Sequence, residues 1–165
     1  MVRSLKTLLH KKLSGAGRVL VLGVGSDLRG DDAAGMLAAE ALNKIRSSFN
    51  IPLKIIFAST APENFTGEIK RFLPTHIIII DSADLGKKPG EAALAGLQEI
   101  SGMSFSTHQL PLRIMFDYLL RSLDCQVLVV CIQPQTLEFG KPPSKPVKQA
   151  VKLLVATIKE ALTKP

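Results

Sequence analysis

Two adjacent carboxylates stand where a phosphate-binding loop would carry a cation. Residues 19–35, VLVLGVGSDLRGDDAAG, are typical of a strand, a glycine-containing loop and the start of a helix. Gly25 and Gly30 have the spacing of a P-loop, but Asp31 and Asp32 occupy the positions of its lysine and its serine or threonine. Because two carboxylates repel a triphosphate, this sequence argues against a nucleoside triphosphate and leaves the ligand of the loop open.

Three side chains that could ligate a metal follow predicted strands. Asp32 follows the first strand and its loop, and Asp81 ends the four-isoleucine segment 77–80. His108 lies in STHQLPL, in a loop just before a helix that leads to the next strand. In open α/β sheets, ligands bind outside the carboxyl ends of the strands. The three residues are therefore candidates for one site.

Simpler explanations exist for each of these residues. Asp31 or Asp32 could cap the following helix, where a negative charge also suits the helix dipole. We expect Asp31→Asn to change activity little, because asparagine keeps a capping oxygen and Asp31 is not one of the three candidate ligands. Asp81 could begin a turn that includes Asp84, and a single loop histidine such as His108 is more often a surface residue than a ligand.

Two further enzyme classes fit the sequence poorly. The dinucleotide-binding fingerprint requires glycine or alanine at position 28, where this chain has Leu28. A Ser–His–Asp triad could be drawn with Ser26 or Ser82, but neither serine lies in the G-x-S-x-G elbow of such hydrolases. Both interpretations are weak.

The elements that must position these residues follow from the apolar pattern. Nearly continuous apolar strands alternate with amphipathic helices, which predicts a mainly parallel sheet covered on both faces. We predict an α/β fold, a three-layer α/β/α sandwich whose mixed, twisted sheet has about five strands. The predicted strands are 18–24, 53–59, 76–83, 90–97 (an edge strand that could run antiparallel) and 125–132, and the predicted helices are 3–13, 32–46, 62–72, 111–123 and 147–162. Residues 98–110 are predicted to be irregular, and residues 1–165 form one domain with a helical extension at 1–16.

The net charge of +7 raises the possibility of nucleic-acid binding. The basic residues are spread along the chain, aromatic residues make up only 5 %, and no RNA-binding motif is present. Lysines such as Lys148 and Lys152 lie at helical spacing among apolar residues, as on a solvated helix face. We therefore expect no nucleic-acid partner, and we expect a monomer because no segment is typical of a coiled coil.

The two cysteines bear on the cellular compartment. Cys125 and Cys131 flank a predicted strand, which would separate them by about 20 Å at about 3.3 Å per residue. A disulfide requires Cα atoms within about 7 Å, so we expect both thiols to be free. No window is apolar and long enough to span a bilayer, and the N-terminus lacks the pattern of a secretion signal. We expect a cytoplasmic protein without a membrane partner.

Five motifs together resemble a known family. The segments LGVGSDLRGDDAAG, APENF, IIIIDSADLG, STHQLPL and CIQP occur in the order found in NiFe-hydrogenase maturation endopeptidases. The chain most resembles the type that processes the large subunit of formate-hydrogenlyase-like hydrogenases, over residues 18 to about 160. The resemblance implies a cytoplasmic enzyme that removes a C-terminal extension from the large-subunit precursor after nickel insertion.

The resemblance also assigns roles to residues of this chain. Family members recognise nickel through an acid of the paired motif, the acid ending the third strand and a histidine, which correspond here to Asp32, Asp81 and His108. The nickel is expected to arrive on the substrate, and the resemblance assigns no nucleophile or base. The family's usual asparagine is Ser26 here and its usual glycine is Ala33. A non-catalytic nickel-sensing assembly factor for the same precursor is the alternative, and a nucleotide-binding regulator is a third.

Overall fold

The computed structural model describes residues 4–96, 104–105 and 109–163, with side chains for 4–96 and 113–163. The strands form a mixed sheet in the order β2-β1-β3-β6-β4. The short strand β5 lies outside this order and pairs with β3. The strands are β1 (Val19–Val24), β2 (Leu53–Ser59), β3 (His76–Asp84), β4 (Ala92–Ala95), β5 (Ser104–Phe105) and β6 (Gln126–Ile132). The helices are α1 (Leu5–Lys12), α2 (Ala34–Lys44), α3 (Thr66–Phe72), α4 (Gln109–Ser122) and α5 (Lys145–Thr163).

Four strands of the sheet, β2, β1, β3 and β6, run parallel to one another. β1 pairs with β2 and with β3, and β3 pairs with β6, all in parallel register, whereas β4 runs antiparallel to β6. The carboxyl ends of β1, β2, β3 and β6 consequently lie at one edge of the sheet. This confirms the prediction of a mainly parallel sheet with an antiparallel strand close to residues 90–97.

Each face of the sheet carries its own apolar core, because successive side chains of a strand point to opposite faces. Ile78 and Ile80 of β3 pack with buried residues of α1, α2 and α5. Ile77 and Ile79 pack on the other face with buried residues of α3 and α4. The long apolar runs in the sequence are thus explained by burial on both sides, which is the three-layer arrangement predicted from them.

The element boundaries differ from the sequence prediction most clearly in three places. The segment predicted as a helix from residue 32 begins as a 3-10 turn, Gly30–Ala33, before α2. The segment predicted from residue 62 likewise begins as a 3-10 turn, Pro62–Phe65, before α3. In the stretch 98–110, which is predicted to be irregular, β5 pairs with the end of β3. Helix α4 begins at Gln109, two residues before Pro111, because a helix tolerates a proline in its first turn. A two-residue strand has no apolar period that a sequence pattern could reveal.

The N-terminal helix packs into the core of the sandwich. Ser4 caps α1 by accepting a hydrogen bond from the Thr7 N–H through its side chain. Leu9 and Leu13 are buried together with residues of α2 and α5. None of the described helices combines the length and the apolar composition needed to cross a bilayer.

The start of α2 lies directly against the ends of two strands. A Cβ atom at Gly35 would collide with the carbonyl oxygens of Val24 and Ile80. Only glycine allows this approach. It brings the turn that precedes α2, and with it Asp32, next to the last residues of β1 and β3.

Candidate active site

Asp32 and Asp81 lie together at the carboxyl edge of the sheet. Asp32 lies in the 3-10 turn between β1 and α2, and Asp81 lies near the end of β3. Both residues are 0 % exposed. The hydroxyl of Ser82 donates a hydrogen bond of 3.3 Å to Oδ1 of Asp32, so the two acid-bearing segments are in contact. The structure therefore brings together two of the three residues that the sequence singled out.

The Asp32 carboxylate is held by donors from both segments. Its Oδ2 accepts a hydrogen bond of 3.0 Å from the Ser26 N–H, and its Oδ1 accepts the Ser82 hydroxyl. The contact with Ser26 uses the backbone, so the serine that replaces the family's asparagine leaves it intact. Ala33 has φ −69° and ψ −8°, a helical conformation that does not require glycine. Neither departure from the family pattern disturbs Asp32.

Asp81 presents one oxygen that has no hydrogen-bond partner among the described residues. Its Oδ1 accepts a hydrogen bond of 2.7 Å from the Ser82 N–H, whereas its Oδ2 is buried and unpartnered in that part of the chain. Burial raises the pKa of the Asp81 carboxyl well above its usual value, and the charge of Asp32 raises it further, against the opposing effect of the Ser82 N–H. A buried oxygen of this kind favours a proton or a metal cation.

Cys131 lies beside Asp81 in the sheet. Asp81 of β3 is in register with Cys131 of β6. Burial raises the pKa of the Cys131 thiol strongly, and the charge of Asp81 adds to the effect. The thiol is therefore neutral and packs as a small apolar group in the core that faces α3 and α4. Both cysteines are free, as predicted from their spacing.

Gly25 closes the turn that carries Asp32. Its φ is +126°, and a Cβ atom there would overlap the carbonyl oxygen of Asp32. Its N–H donates a hydrogen bond of 2.8 Å to the carbonyl of Ser59, at the end of β2. The glycine that resembled part of a P-loop thus allows the chain to fold back tightly on the Asp32 backbone.

Asp31 does not cap the helix. Neither the 3-10 turn nor α2 has a side-chain cap at its N-terminus. The Asp31 side chain is fully buried and accepts hydrogen bonds from Gln135, Thr136 and Ser144. The capping interpretation of Asp31 is therefore wrong: the residue joins the Asp32 turn to the segment that follows β6.

Gln133, from the motif CIQP, joins the end of β6 to the loop after β3. Its Oε1 accepts hydrogen bonds from the N–H groups of Leu85 at 2.6 Å and Lys87 at 3.3 Å. Its Nε2 donates to Oδ1 of Asp84 at 3.2 Å, an oxygen that also accepts the Gly86 N–H at 3.0 Å. These two hydrogen bonds lower the pKa of the exposed Asp84 carboxyl, and the bond from the Gly86 N–H has the larger effect. Asp84 is therefore a turn residue.

His108 lies outside the described residues. It immediately precedes α4, which begins at Gln109 and packs Met115 and Phe116 into the core on the Asp81 face of the sheet. Within the described ranges, no three histidine, cysteine, aspartate or glutamate side chains come together as a potential metal site. The metal-ligating roles of Asp32, Asp81 and His108 therefore all stay predictions.

Sequence reasoning missed the two contacts that organise the site. The sequence suggests Ser82 only as a possible nucleophile, yet strand alternation places its side chain on the face opposite Asp81, toward the Asp32 turn. Once Asp81 is assigned as a ligand, the same alternation predicts this placement from the sequence. The hydrogen bonds of Asp31 with Gln135 and Ser144 join residues more than 100 positions apart, and no local sequence pattern predicts them.

Comparison with known proteins identifies the family to which this chain belongs. The sequence profile of the HycI family, described as hydrogenase maturation protease, matches residues 36–161. A putative hydrogenase maturation protease of Methanocaldococcus jannaschii is 36 % identical over 163 residues, which are 96 % of this chain and 96 % of that protein. The hydrogenase 3 maturation protease of Escherichia coli K12 is 34 % identical over 133 residues, 80 % of this chain and 83 % of that protein.

A solved structure agrees with these sequence matches. The crystal structure of the NiFe hydrogenase maturation protease HycI from Thermococcus kodakarensis superposes with a TM-score of 0.85 at 31 % identity, covering 95 % of this chain and 99 % of that one. The predicted fold, family and enzyme class are confirmed. The chain belongs to the HycI family of hydrogenase maturation proteases, and it is a peptide hydrolase.

Proposed function

We propose that the enzyme removes a C-terminal extension from the large-subunit precursor of a NiFe hydrogenase after nickel has been inserted. The observation that carries this proposal is the pair of fully buried carboxylates, Asp32 and Asp81, at the carboxyl edge of the sheet. The relatives named above are hydrogenase maturation proteases, which supports a hydrogenase precursor as the substrate.

The donor set suits nickel that is part of the substrate. Carboxylate oxygens and an imidazole nitrogen bind divalent first-row metals, whereas thiolates bind them far more tightly. In this proposal, cysteines of the precursor hold the nickel, and Asp32, Asp81 and His108 complete its coordination. The enzyme thus recognises a metal that is already seated in the protein to be cut.

The residues around the two acids serve this recognition. The Ser26 N–H and the Ser82 hydroxyl fix the orientation of Asp32. The Ser82 N–H fixes Oδ1 of Asp81 and leaves Oδ2 for the metal. Because burial favours the protonated form of Asp81, its carboxyl releases a proton when it binds the cation. An arriving nickel therefore replaces that proton.

This arrangement explains how cleavage could depend on the nickel in the precursor. A precursor without nickel offers no cation to replace the proton of Asp81, so it cannot form the metal–carboxylate contacts that would hold it in the site. A loaded precursor brings the charge that the site lacks. Cleavage is thereby limited to precursor that has completed metal insertion.

The test is to incubate the enzyme with nickel-loaded and nickel-free precursor and to measure the mass of the large subunit. We expect a shortened product only from loaded precursor. Asp32→Asn, Asp81→Asn and His108→Ala are expected to abolish cutting, while Asp27→Asn, which changes an exposed carboxylate in the same loop, retains it. An unchanged mass in the presence of tight binding would contradict the proposal and favour a non-catalytic assembly factor.

Compartment and assembly are also part of the proposal. Two free cysteines suit a reducing environment such as the cytoplasm. We propose that the enzyme acts there as a monomer and as a single domain, and size-exclusion chromatography with light scattering tests the oligomeric state.

A further inference from the structure

Asp31 gathers a distant segment of the chain around its carboxylate. Oδ2 accepts hydrogen bonds from the N–H groups of Gln135 at 2.7 Å and Thr136 at 3.1 Å, and from the Ser144 hydroxyl at 2.9 Å. Oδ1 accepts the Ser144 N–H at 2.6 Å. The residue is 0 % exposed, so these contacts form out of solvent. Charge-assisted bonds of this length are among the stronger hydrogen bonds in proteins.

Backbone contacts reinforce the same junction. The Asp31 N–H donates to the carbonyl of Thr136 at 2.9 Å, and the Gly30 N–H donates to the carbonyl of Lys141 at 3.0 Å. The Gly140 N–H donates to the carbonyl of Leu28 at 2.8 Å. The segment 135–144 is thus attached to the turn 28–31 at several points, and the Asp31 side chain lies at the centre of the junction.

The junction adjoins the Asp32 carboxylate. Asp31 and Asp32 are consecutive residues of one 3-10 turn, so fixing the backbone at Asp31 limits the rotation of Asp32. On its other side, the turn is fixed by the contact of Asp32 with the Ser26 N–H. The orientation of Asp32 therefore depends on contacts at both ends of the turn, of which Asp31 supplies one.

We propose that Asp31 is a positioning residue, whose carboxylate holds segment 135–144 against the turn and thereby fixes the orientation of Asp32. The consequence for cutting rests on the proposed function. The positioning itself does not, because it concerns the enzyme alone.

Asparagine cannot replace Asp31 in this role. Both carboxylate oxygens accept N–H donors, whereas an asparagine amide has one oxygen and one NH₂ group. In either amide orientation, an NH₂ group faces at least one backbone N–H. Ser144→Ala is the milder change, since it removes one hydroxyl and leaves three N–H donors on an intact carboxylate.

The first experiment measures amide hydrogen exchange in the enzyme alone. The Ser26 N–H reports the orientation of Asp32, because it donates directly to Oδ2 of that residue. We expect Asp31→Asn to accelerate exchange at Ser26 at least tenfold more than Val151→Ala, a buried change in α5 that lowers stability away from the turn. Ser144→Ala should accelerate it less than threefold. Equal acceleration at Ser26 in Asp31→Asn and Val151→Ala would overturn the proposal.

The second experiment measures kcat and KM on nickel-loaded precursor at a temperature where all variants are folded. We expect Asp31→Asn to lower kcat at least tenfold, and Ser144→Ala and Val151→Ala to stay within threefold of wild type. A kcat for Asp31→Asn within twofold of wild type would refute positioning. If wild-type enzyme does not cut the precursor, the proposed function fails, while the exchange comparison still decides the role of Asp31.

Discussion

The hydroxyl of Ser82 lies 3.3 Å from Oδ1 of Asp32 and joins the end of β3 to the turn that follows β1. Its own N–H donates to Asp81 at 2.7 Å. One residue therefore contacts both acids of the site, through two different groups. The relative placement of Asp32 and Asp81 depends on this serine as well as on the strands that carry them.

Ser82→Ala should reduce cutting without unfolding the protein. Removing a donor to a charged group costs about 1.5–3 kcal/mol, so we expect kcat/KM on loaded precursor to fall about tenfold or more. The N–H to Asp81 stays in place. Ser122→Ala is the matched control, because that exposed hydroxyl donates to the Tyr118 carbonyl within α4. The kcat/KM of this variant should equal that of wild type. Similar losses in both variants would contradict the role assigned to Ser82.

Gly25→Ala should be severely destabilising. The new Cβ would overlap the carbonyl oxygen of Asp32, at a residue whose φ is +126°. Strain and overpacking together should lower the free energy of unfolding by about 4 kcal/mol, as measured by urea titration. Gly15→Ala separates the two causes, because Gly15 has φ +76° but no atom within 4 Å of the added Cβ. We expect it to cost about 1–2 kcal/mol. A Gly25 variant no less stable than the Gly15 variant would show that the turn opens easily.

The stability of the metal-free enzyme should fall as the pH rises, because of Asp81. Burial raises the folded-state pKa of this carboxyl well above its ordinary value of 3.8. Between pH 3.8 and that raised pKa, the folded state binds more protons than the unfolded state. The contribution of Asp81 is therefore fully present below pH 3.8 and is lost as the pH rises through the folded pKa.

Asp81→Asn reveals this contribution by difference. Asparagine keeps an oxygen for the Ser82 N–H and never ionises. The free energy of unfolding of the variant minus that of wild type should increase with pH across the same window and then level off. Chemical denaturation at a series of pH values, with chelator present, measures it. A difference that is independent of pH would mean that Asp81 titrates normally, and the variant should be inactive in either case.

The fold could be predicted from the sequence because its strongest signals are local. The isoleucines 77–80 are buried on both faces, and the strand around them extends over His76–Asp84, close to the predicted 76–83. Likewise, β2 spans Leu53–Ser59, as predicted. Runs of apolar residues of strand length carry this information directly. The convergence of Asp32 and Asp81 then follows from the rule that parallel strands end at one edge.

What could not be predicted depends on contacts between distant segments. Asp31 and Asp32 are chemically identical neighbours, and the sequence alone cannot say that one faces the sheet edge while the other binds Ser144, 113 residues away. The 3-10 turn that separates their roles has no distinctive apolar period. Short elements such as β5 are set by their pairing partner rather than by their own residues.

The last prediction separates nickel carried by the substrate from a resident catalytic metal. Two carboxylates and one imidazole bind nickel only moderately, whereas thiolates of the precursor bind it far better. Purified enzyme should therefore contain less than one equivalent of metal, and treating the enzyme alone with a chelator, followed by removal of the chelator, should leave cutting of loaded precursor unchanged. His108→Ala should lose that activity without unfolding, as measured by thermal denaturation. Metal content measured by mass spectrometry, together with the mass of the large subunit, checks these outcomes.

Efficient cleavage of nickel-free precursor, or a requirement for added metal after chelation, would contradict the substrate-borne mechanism. Either result would indicate a metalloprotease whose own ion polarises the scissile carbonyl.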